Sequence, residues 1–125
     1  MLKSLFAVAI GGALGSLFRW WLSLRLNTLF PSLPPGTLSA NVIAAFIIGM
    51  ALSVFMKQPG IDPVWKVFIT TGICGGLSTF STFSSEIFVQ LQGGNWQWAM
   101  LSICAHVLLS LLAVFGGYAL INAVL

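Results

Sequence analysis

One stretch of the chain carries most of the side chains that could do chemistry. Between Thr71 and Glu86, an otherwise apolar run holds three glycines and six hydroxyl residues. Adjacent Gly75 and Gly76 together weaken a helix by about 2 kcal/mol relative to alanine, and nearby hydroxyls offer the backbone other partners. We therefore expect a non-helical break near residues 75–79, with freed carbonyls that suit Na⁺ or K⁺. The alternative is a glycine-rich packing helix whose serines bond to their own turn.

Two phenylalanines and a set of hydroxyl groups follow the expected break. Phe80 and Phe83 share one helical face, and Ser81 and Thr82 lie on neighbouring faces. Positive ring edges, together with hydroxyl and amide donors, can line a narrow path for a small anion. Glu86 is the only acidic residue in this apolar run and is a candidate for function, although a position near a helix end also lets it reach the interface.

Polar and small residues also keep to one helical face in two other apolar runs. The positions repeat about every four residues, as Asn41, Ala45 and Gly49 in one run and Ser102, His106 and Ser110 in the other. A buried polar group costs several kcal/mol unless it is satisfied, so each face is either an interhelical seam or the wall of a pore. His106 is then either a neutral, packed, hydrogen-bonded residue or a proton relay.

The composition places these residues in a membrane. The 125 residues are 58% hydrophobic and 6% charged, with five basic and two acidic side chains. Soluble domains carry about 25% charged residues, so this chain could not cover a globule in water. The basic residues are scattered singly, which excludes a nucleic-acid interface. No catalytic triad, metal-ligand spacing or phosphate loop occurs, so we do not predict an enzyme.

Charges and helix breakers divide the chain into four apolar stretches, each close to the 20 residues that span a bilayer. We predict one transmembrane domain over residues 1–125, with helices at about 4–26, 37–57, 64–91 and 96–121, the third broken at mid-membrane. The basic residues differ little between the two sides of the membrane. Insertion in both orientations is therefore possible, which would permit an antiparallel homodimer.

Small residues recur where helices could approach closely. Gly11 and Gly15 form a GxxxG pair in the first predicted helix, Ala40 and Ala44 form a similar pair in the second, and Gly116 and Gly117 belong to the fourth. Such residues let helix backbones meet in lipid. Each pair could serve packing inside one subunit or a seam between two copies.

The motifs resemble the Fluc (CrcB-type) fluoride channels over the whole chain. The resemblance rests on Gly11-Gly12 with Gly15 and Arg19, on Gly36-Thr37-Leu38 leading to Asn41, and above all on the specific stretch from Gly75 to Ser84, GGLSTFSTFS. It implies an all-α, dual-topology antiparallel homodimer in the bacterial inner membrane. It also implies two pores per dimer, passive fluoride export from the cytoplasm, and a structural Na⁺ at the dimer interface.

The resemblance also assigns roles to single residues. Fluoride-pore positions are Asn41, Phe80, Phe83, Ser81, Thr82 and Ser110. Backbone carbonyls of Gly75 and Ser78 would hold the Na⁺, and a serine where the family usually has threonine should serve equally well as a backbone ligand. Arg19 would lie in a vestibule and raise the local anion concentration. Glu86 and His106 are further candidates without an assigned role.

Two other functions fit a small four-helix membrane protein. A small-multidrug-type antiporter exchanges protons for a cationic drug through a membrane carboxylate, for which Glu86 is the only candidate. It lies in the third helix, whereas that family keeps its acid in the first. A non-transporting assembly subunit would use its polar faces only to hold helices together.

Overall fold

The computed structural model describes all residues, 1–125, and every regular element is helical. The elements are α1 (Leu2–Leu26), a 3₁₀ turn (Asn27–Leu29), α2 (Pro35–Lys57), α3 (Pro63–Val67), a π-helical segment (Phe68–Cys74), α4 (Gly75–Leu77), α5 (Phe80–Gln92) and α6 (Trp96–Val124). Proline occupies the first turn of α2 and of α3, where its missing N–H has no helical partner in any case. Asp62 caps α3 by accepting a hydrogen bond from the Val64 amide at 3.0 Å.

Three stretches are long and apolar enough to cross a membrane, in agreement with the composition. They are Leu2–Leu29, Pro35–Lys57 and Trp96–Val124. The fourth helical stretch, residues 63–92, consists of shorter elements in sequence. The chain thus contains four helical stretches separated by short connections.

Backbone geometry changes twice along the third stretch. Residues 68–74 form a π-helix, and Ser78 (φ −77°, ψ 151°) and Thr79 (φ −149°, ψ 114°) are extended between α4 and α5. The extended segment is shorter than the expected 75–79, because Gly75 and Gly76 remain helical. Here the glycines serve close packing, since a Cβ on Gly76 would lie 3.1 Å from the Cα of Gly12.

Four glycines form the contact between α1 and the stretch from Phe68 to Leu77. This glycine seam consists of Gly11, Gly15, Gly72 and Gly76, at which an added side-chain carbon would meet backbone atoms of the opposite element. A Cβ at Gly11, for example, would lie 2.8 Å from the Phe68 carbonyl oxygen. Gly11 and Gly15 therefore serve packing within the subunit, which was one of the two alternatives.

A second close contact joins α2 to α6, the most extensively packed pair of helices. Gly49 lies against the backbone of Val114, and Gly117 lies against that of Phe46. At the centre of the subunit, a core of five buried residues is contributed by α1, α2 and the third stretch: Leu22, Ala40, Ala44, Cys74 and Leu77. These contacts hold α2 against α6 on one side and against α1 and the third stretch on the other.

Candidate functional site

The helix that follows the extended residues begins with a side-chain cap. Thr79 accepts a hydrogen bond at Oγ1 from the Thr82 amide, at 3.2 Å. This satisfies one of the N–H groups that have no partner at a helix start. The Thr79 hydroxyl also lies 3.3 Å from that of Ser81. The sequence Ser-Thr-Phe-Ser-Thr thus restarts a helix immediately after two extended residues.

Asn41 connects three elements through its side-chain amide. Its Oδ1 accepts a hydrogen bond from the Thr79 amide at 2.9 Å, and its Nδ2 lies 3.0 Å from Nδ1 of His106. We call Asn41, Thr79 and His106 the Asn41 junction. It joins the second turn of α2 to the start of α5 and to α6, over separations of 38 and 65 residues in sequence.

These hydrogen bonds leave carbonyl oxygens without their helical partners. In a continuous helix the Thr79 amide would donate to Gly75 O, but here it donates to Asn41. The Thr82 amide would likewise donate to Ser78 O, but here it donates to Thr79 Oγ1. Gly75 and Ser78 are both exposed on the surface of the chain. Their two carbonyl oxygens are hard donors of the kind that alkali cations prefer.

Arg19 forms a hydrogen bond with the carbonyl oxygen of Gly76, which lies between Gly75 and Ser78 in the sequence. Its Nε donates to Gly76 O at 3.0 Å, from the α1 side of the glycine seam. Gly76 O is therefore satisfied by a side chain, while the carbonyls of Gly75 and Ser78 stay available. The structure places Arg19 half-buried beside α4, and its expected vestibule role stays a prediction.

An open groove of about 620 Å³ lies between α2, the third stretch and α6. It brings together most of the predicted site residues, namely Asn41, Gly75, Ser78, Phe80, Phe83, His106 and Ser110. Three further polar or thiol side chains line it, from Thr70, Cys74 and Thr79. Ser81 and Thr82 lie beyond its edge, on α5, and do not line it.

The two phenylalanines have different surroundings. Phe83 is buried, and its ring centroid lies 4.3 Å from that of His106 at an interplanar angle of 37°. Phe80 is 76% exposed and lies 5.7 Å from Phe83 between centroids.

Glu86 lies outside the groove, in a separate cluster with the turn between α1 and α2. Its Oε2 accepts a hydrogen bond at 2.6 Å from the hydroxyl of Thr37, a fully buried residue. Asn27 completes the cluster by bonding to both the amide and the hydroxyl of Thr37, at 3.0 and 3.3 Å.

Ser102, another polar residue of the fourth stretch, is buried on α6, and its hydroxyl has no hydrogen-bond partner.

Comparison with known proteins fits this arrangement. The family model described as "CrcB-like protein, Camphor Resistance (CrcB)" matches residues 6–118. The chain belongs to the CrcB-like family. A relative from Escherichia coli O1:K1 / APEC is 58% identical over 122 residues, covering 98% of this chain and 97% of the relative. Another, from Erwinia tasmaniensis, is 52% identical over 122 residues, covering 98% of both chains. Both relatives are named "Fluoride-specific ion channel FluC".

Membership of the CrcB-like family confirms the resemblance based on the glycine and hydroxyl motifs. A third relative, from Nitrosomonas europaea, carries the same name at 50% identity over 122 residues, covering 98% of this chain and 96% of the relative. The similarity spans all four helical stretches. With its apolar helices, this CrcB-like chain is a multi-pass membrane protein.

Several residues of this CrcB-like chain were not identified from the sequence as parts of hydrogen-bonded clusters. Thr79 contributes through its backbone amide, which carries no sequence signal. Asn27 bonds to Thr37, and Thr37 bonds to Glu86 across 49 residues in sequence. A signal existed only for Thr37, a polar residue in the first turn of a mostly apolar helix.

Proposed function

We propose that this chain is a fluoride-selective channel that lets fluoride leave the bacterial cytoplasm passively through the inner membrane. The observation that carries the proposal is the similarity to proteins named fluoride-specific ion channels over almost the entire chain. The groove supports it, because amide, hydroxyl and aromatic groups converge there with no charged side chain. Such donors can replace part of the hydration shell of a small anion.

The groove in one subunit is open along its length, and we propose that a second copy of the chain closes it. The exposed ring of Phe80 and the exposed Gly75 and Ser78 lie on this side of the subunit. An antiparallel homodimer would place two such grooves, and hence two pores, in one assembly. The weak difference in basic residues between the two membrane sides is compatible with insertion in both orientations.

We further propose that the carbonyls of Gly75 and Ser78 hold a structural Na⁺ in the interrupted helix at mid-membrane. Two oxygens are too few for this ion, and two symmetry-related subunits would supply four. Each subunit also presents these carbonyls on its surface, as a shared site requires. The ion would neutralise carbonyl dipoles at the subunit contact, and thereby support assembly.

The small-multidrug-type antiporter is not favoured. Glu86 would need to exchange protons with a bound drug, but its Oε2 is bonded to a fully buried Thr37. It also lies outside the groove. Glu86 therefore contributes to a contact between α2, α5 and the α1–α2 turn.

Fluoride efflux from liposomes that contain the purified protein tests the proposed function. We expect rapid fluoride release, measured with a fluoride electrode, and no release from matched vesicles loaded with chloride. Protein-free liposomes give the background. If protein that elutes as a single folded species released neither anion, the channel proposal would be contradicted. Equal release of both anions would contradict its selectivity.

Orientation and the Na⁺ site need separate experiments. A Gly60→Cys variant carrying Cys104→Ala places a thiol in the connection between α2 and α3, at a position with open space around it. We expect an impermeant maleimide to label about half of the protein in sealed vesicles. Labelling near zero or near completion would contradict dual topology.

The Na⁺ site is tested by replacing Na⁺ with a bulky organic cation during purification, which should lower the fluoride flux. Ser78→Ala should not change this dependence of the flux on Na⁺. A shifted dependence would mean that the hydroxyl, and not the carbonyl, binds the ion.

A further inference from the structure

The hydrogen bonds at Asn41 determine which way its amide faces. The backbone N–H of Thr79 can only donate, so the Asn41 atom 2.9 Å away must be the oxygen, Oδ1. The nitrogen Nδ2 then faces Nδ1 of His106 at 3.0 Å. The orientation of this amide therefore follows from its neighbours and is not a free choice.

The same argument determines where the proton of His106 lies. Nδ2 of Asn41 has only hydrogens to offer, so Nδ1 of His106 must accept and must carry no proton. A neutral imidazole then carries its hydrogen on Nε2. Of the two hydrogens on the Asn41 amide nitrogen, one is used by His106 and one remains free beside the groove.

Packing keeps His106 in this position. The side chain is 5% exposed, and its ring lies against the buried ring of Phe83 with 4.3 Å between centroids. A single bond to Thr79 would let the Asn41 amide turn about that contact. Two bonds in different directions fix the plane of the amide and so the direction of its free hydrogen.

We propose that His106 is a positioning residue for Asn41, and that its unprotonated Nδ1 aims the remaining amide hydrogen of Asn41 at the anion in the groove. This inference rests on the proposed function and deepens it, because it names the group that orients an anion donor. His106 need not touch fluoride or carry a proton across the membrane. Its role is to accept one hydrogen bond at a fixed point.

Because the chain contains a single histidine, the tautomer can be measured directly. In protein labelled with ¹⁵N-histidine, we expect NMR spectra to show an unprotonated Nδ1 and a protonated Nε2 at neutral pH. Changing Asn41 to leucine should remove the hydrogen-bond shift of Nδ1. A protonated Nδ1 in the folded wild-type protein would overturn the proposal whether or not the protein conducts.

Two near-isosteric substitutions test the consequence for transport. Asparagine can place an oxygen close to the position of Nδ1, whereas leucine fills similar space with no acceptor, and both remove the ring that packs on Phe83. We expect His106→Leu to lower fluoride efflux roughly tenfold, and His106→Asn to recover most of that loss. Equal losses of flux in the two variants would assign the effect to the missing imidazole ring. No loss of flux in either variant would show that Asn41 needs no second hydrogen bond. Either result would overturn the proposal.

A combined variant separates this coupling from general damage. In an Asn41→Leu background, where the flux is about a hundredth of the wild-type value and is measured at a correspondingly higher protein-to-lipid ratio, exchanging His106→Asn for His106→Leu should change the residual flux by less than about twofold, because no amide remains to be oriented. A difference as large as in the wild-type background would overturn the proposal. Folding is monitored in each variant by size-exclusion profile and thermal melting. If the wild-type protein itself released no fluoride, the proposed function would fail, while the NMR result would still decide the tautomer.

Discussion

The two sides of the third helical stretch are built in opposite ways. On one side, the glycine seam brings its backbone directly against the backbone of α1 at Gly11, Gly15, Gly72 and Gly76. On the other side, the Asn41 junction holds it to α2 and α6 through directional hydrogen bonds, and leaves an open groove beside them. The glycine seam requires that its residues have no side-chain carbon. The Asn41 junction requires hydrogen-bond donors and acceptors at defined positions. Substitutions should therefore act on folding at the seam and on conduction at the junction.

The largest effect is expected from adding one carbon to the seam. Gly15→Ala would place a Cβ 2.8 Å from the backbone nitrogen of Leu77, so the helices must separate. Overpacking of this kind costs about 3 kcal/mol, a large share of the stability of a small protein. We expect little monodisperse protein by size-exclusion chromatography.

Gly12→Ala is the matched control for Gly15→Ala, because a Cβ at Gly12 has no neighbouring atom within 4 Å. Alanine also has the higher helix propensity, by about 1 kcal/mol. The melting temperature of this variant should equal or exceed that of the wild type. Similar damage in both variants would show that the loss does not depend on the seam contact, since a Cβ at Gly12 meets no atom there.

At the junction, Asn41→Leu should nearly abolish transport. It removes the free amide hydrogen and leaves the Thr79 amide and the His106 nitrogen without partners. We expect fluoride efflux to fall about hundredfold, which corresponds to the loss of a buried polar pair. Asn122→Leu is the control, since it also removes a side-chain bond, to Ser53, but lies at the far end of α6. Equal losses of flux in Asn41→Leu and Asn122→Leu would show that the effect does not depend on the position of Asn41 beside the groove.

A smaller effect is expected from the exposed aromatic ring at the edge of the groove. Phe80→Ile should lower fluoride efflux about tenfold through the loss of a ring edge. The melting temperature should change little, because Phe80 is mostly exposed within one subunit. Phe88→Ile changes an exposed ring on the same helix, away from the groove, and should leave efflux unchanged. Unaltered efflux in Phe80→Ile would argue against an aromatic path.

The smallest effect is expected at Glu86, which neither the seam nor the junction includes. Thr37→Val keeps the shape of the side chain and removes the hydroxyl that donates to Glu86 and accepts from Asn27. The free energy of unfolding should fall by about 1 kcal/mol, measured by denaturation in detergent, with efflux per folded protein unchanged. Thr28→Val, at an exposed position, serves as control. A strong loss of efflux from Thr37→Val would move Glu86 into the conduction path.

The sequence was sufficient for the helical class and the membrane location, because the scarcity of charge leaves few other solutions. It was less informative about local geometry. Gly75 and Gly76 predicted a break, but the seam with α1 keeps both helical and the extended residues are Ser78 and Thr79. The π-helical segment, residues 68–74, has no signal that periodicity could detect.

The candidate site was predictable as a set of residues and not as a set of bonds. Asn41, Phe83 and His106 could be selected because polar and aromatic groups on helical faces are conspicuous in an apolar chain. Their pairing depends on which helices become neighbours, across separations of up to 65 residues. For the same reason, the GxxxG pair could not be assigned to packing within the subunit until α1 was placed beside the third stretch.

The pairing of helices also has a consequence for the order in which the protein can fold during synthesis. α1 has its closest contacts with residues 63–77, and α2 has its most extensive contact with α6, the last helix to be made. After insertion, α1 and α2 therefore remain in the bilayer with their main contact surfaces exposed to lipid until the later helices are inserted. Only when Trp96–Val124 has been inserted can α2 reach its partner, so the final quarter of the chain completes the native packing.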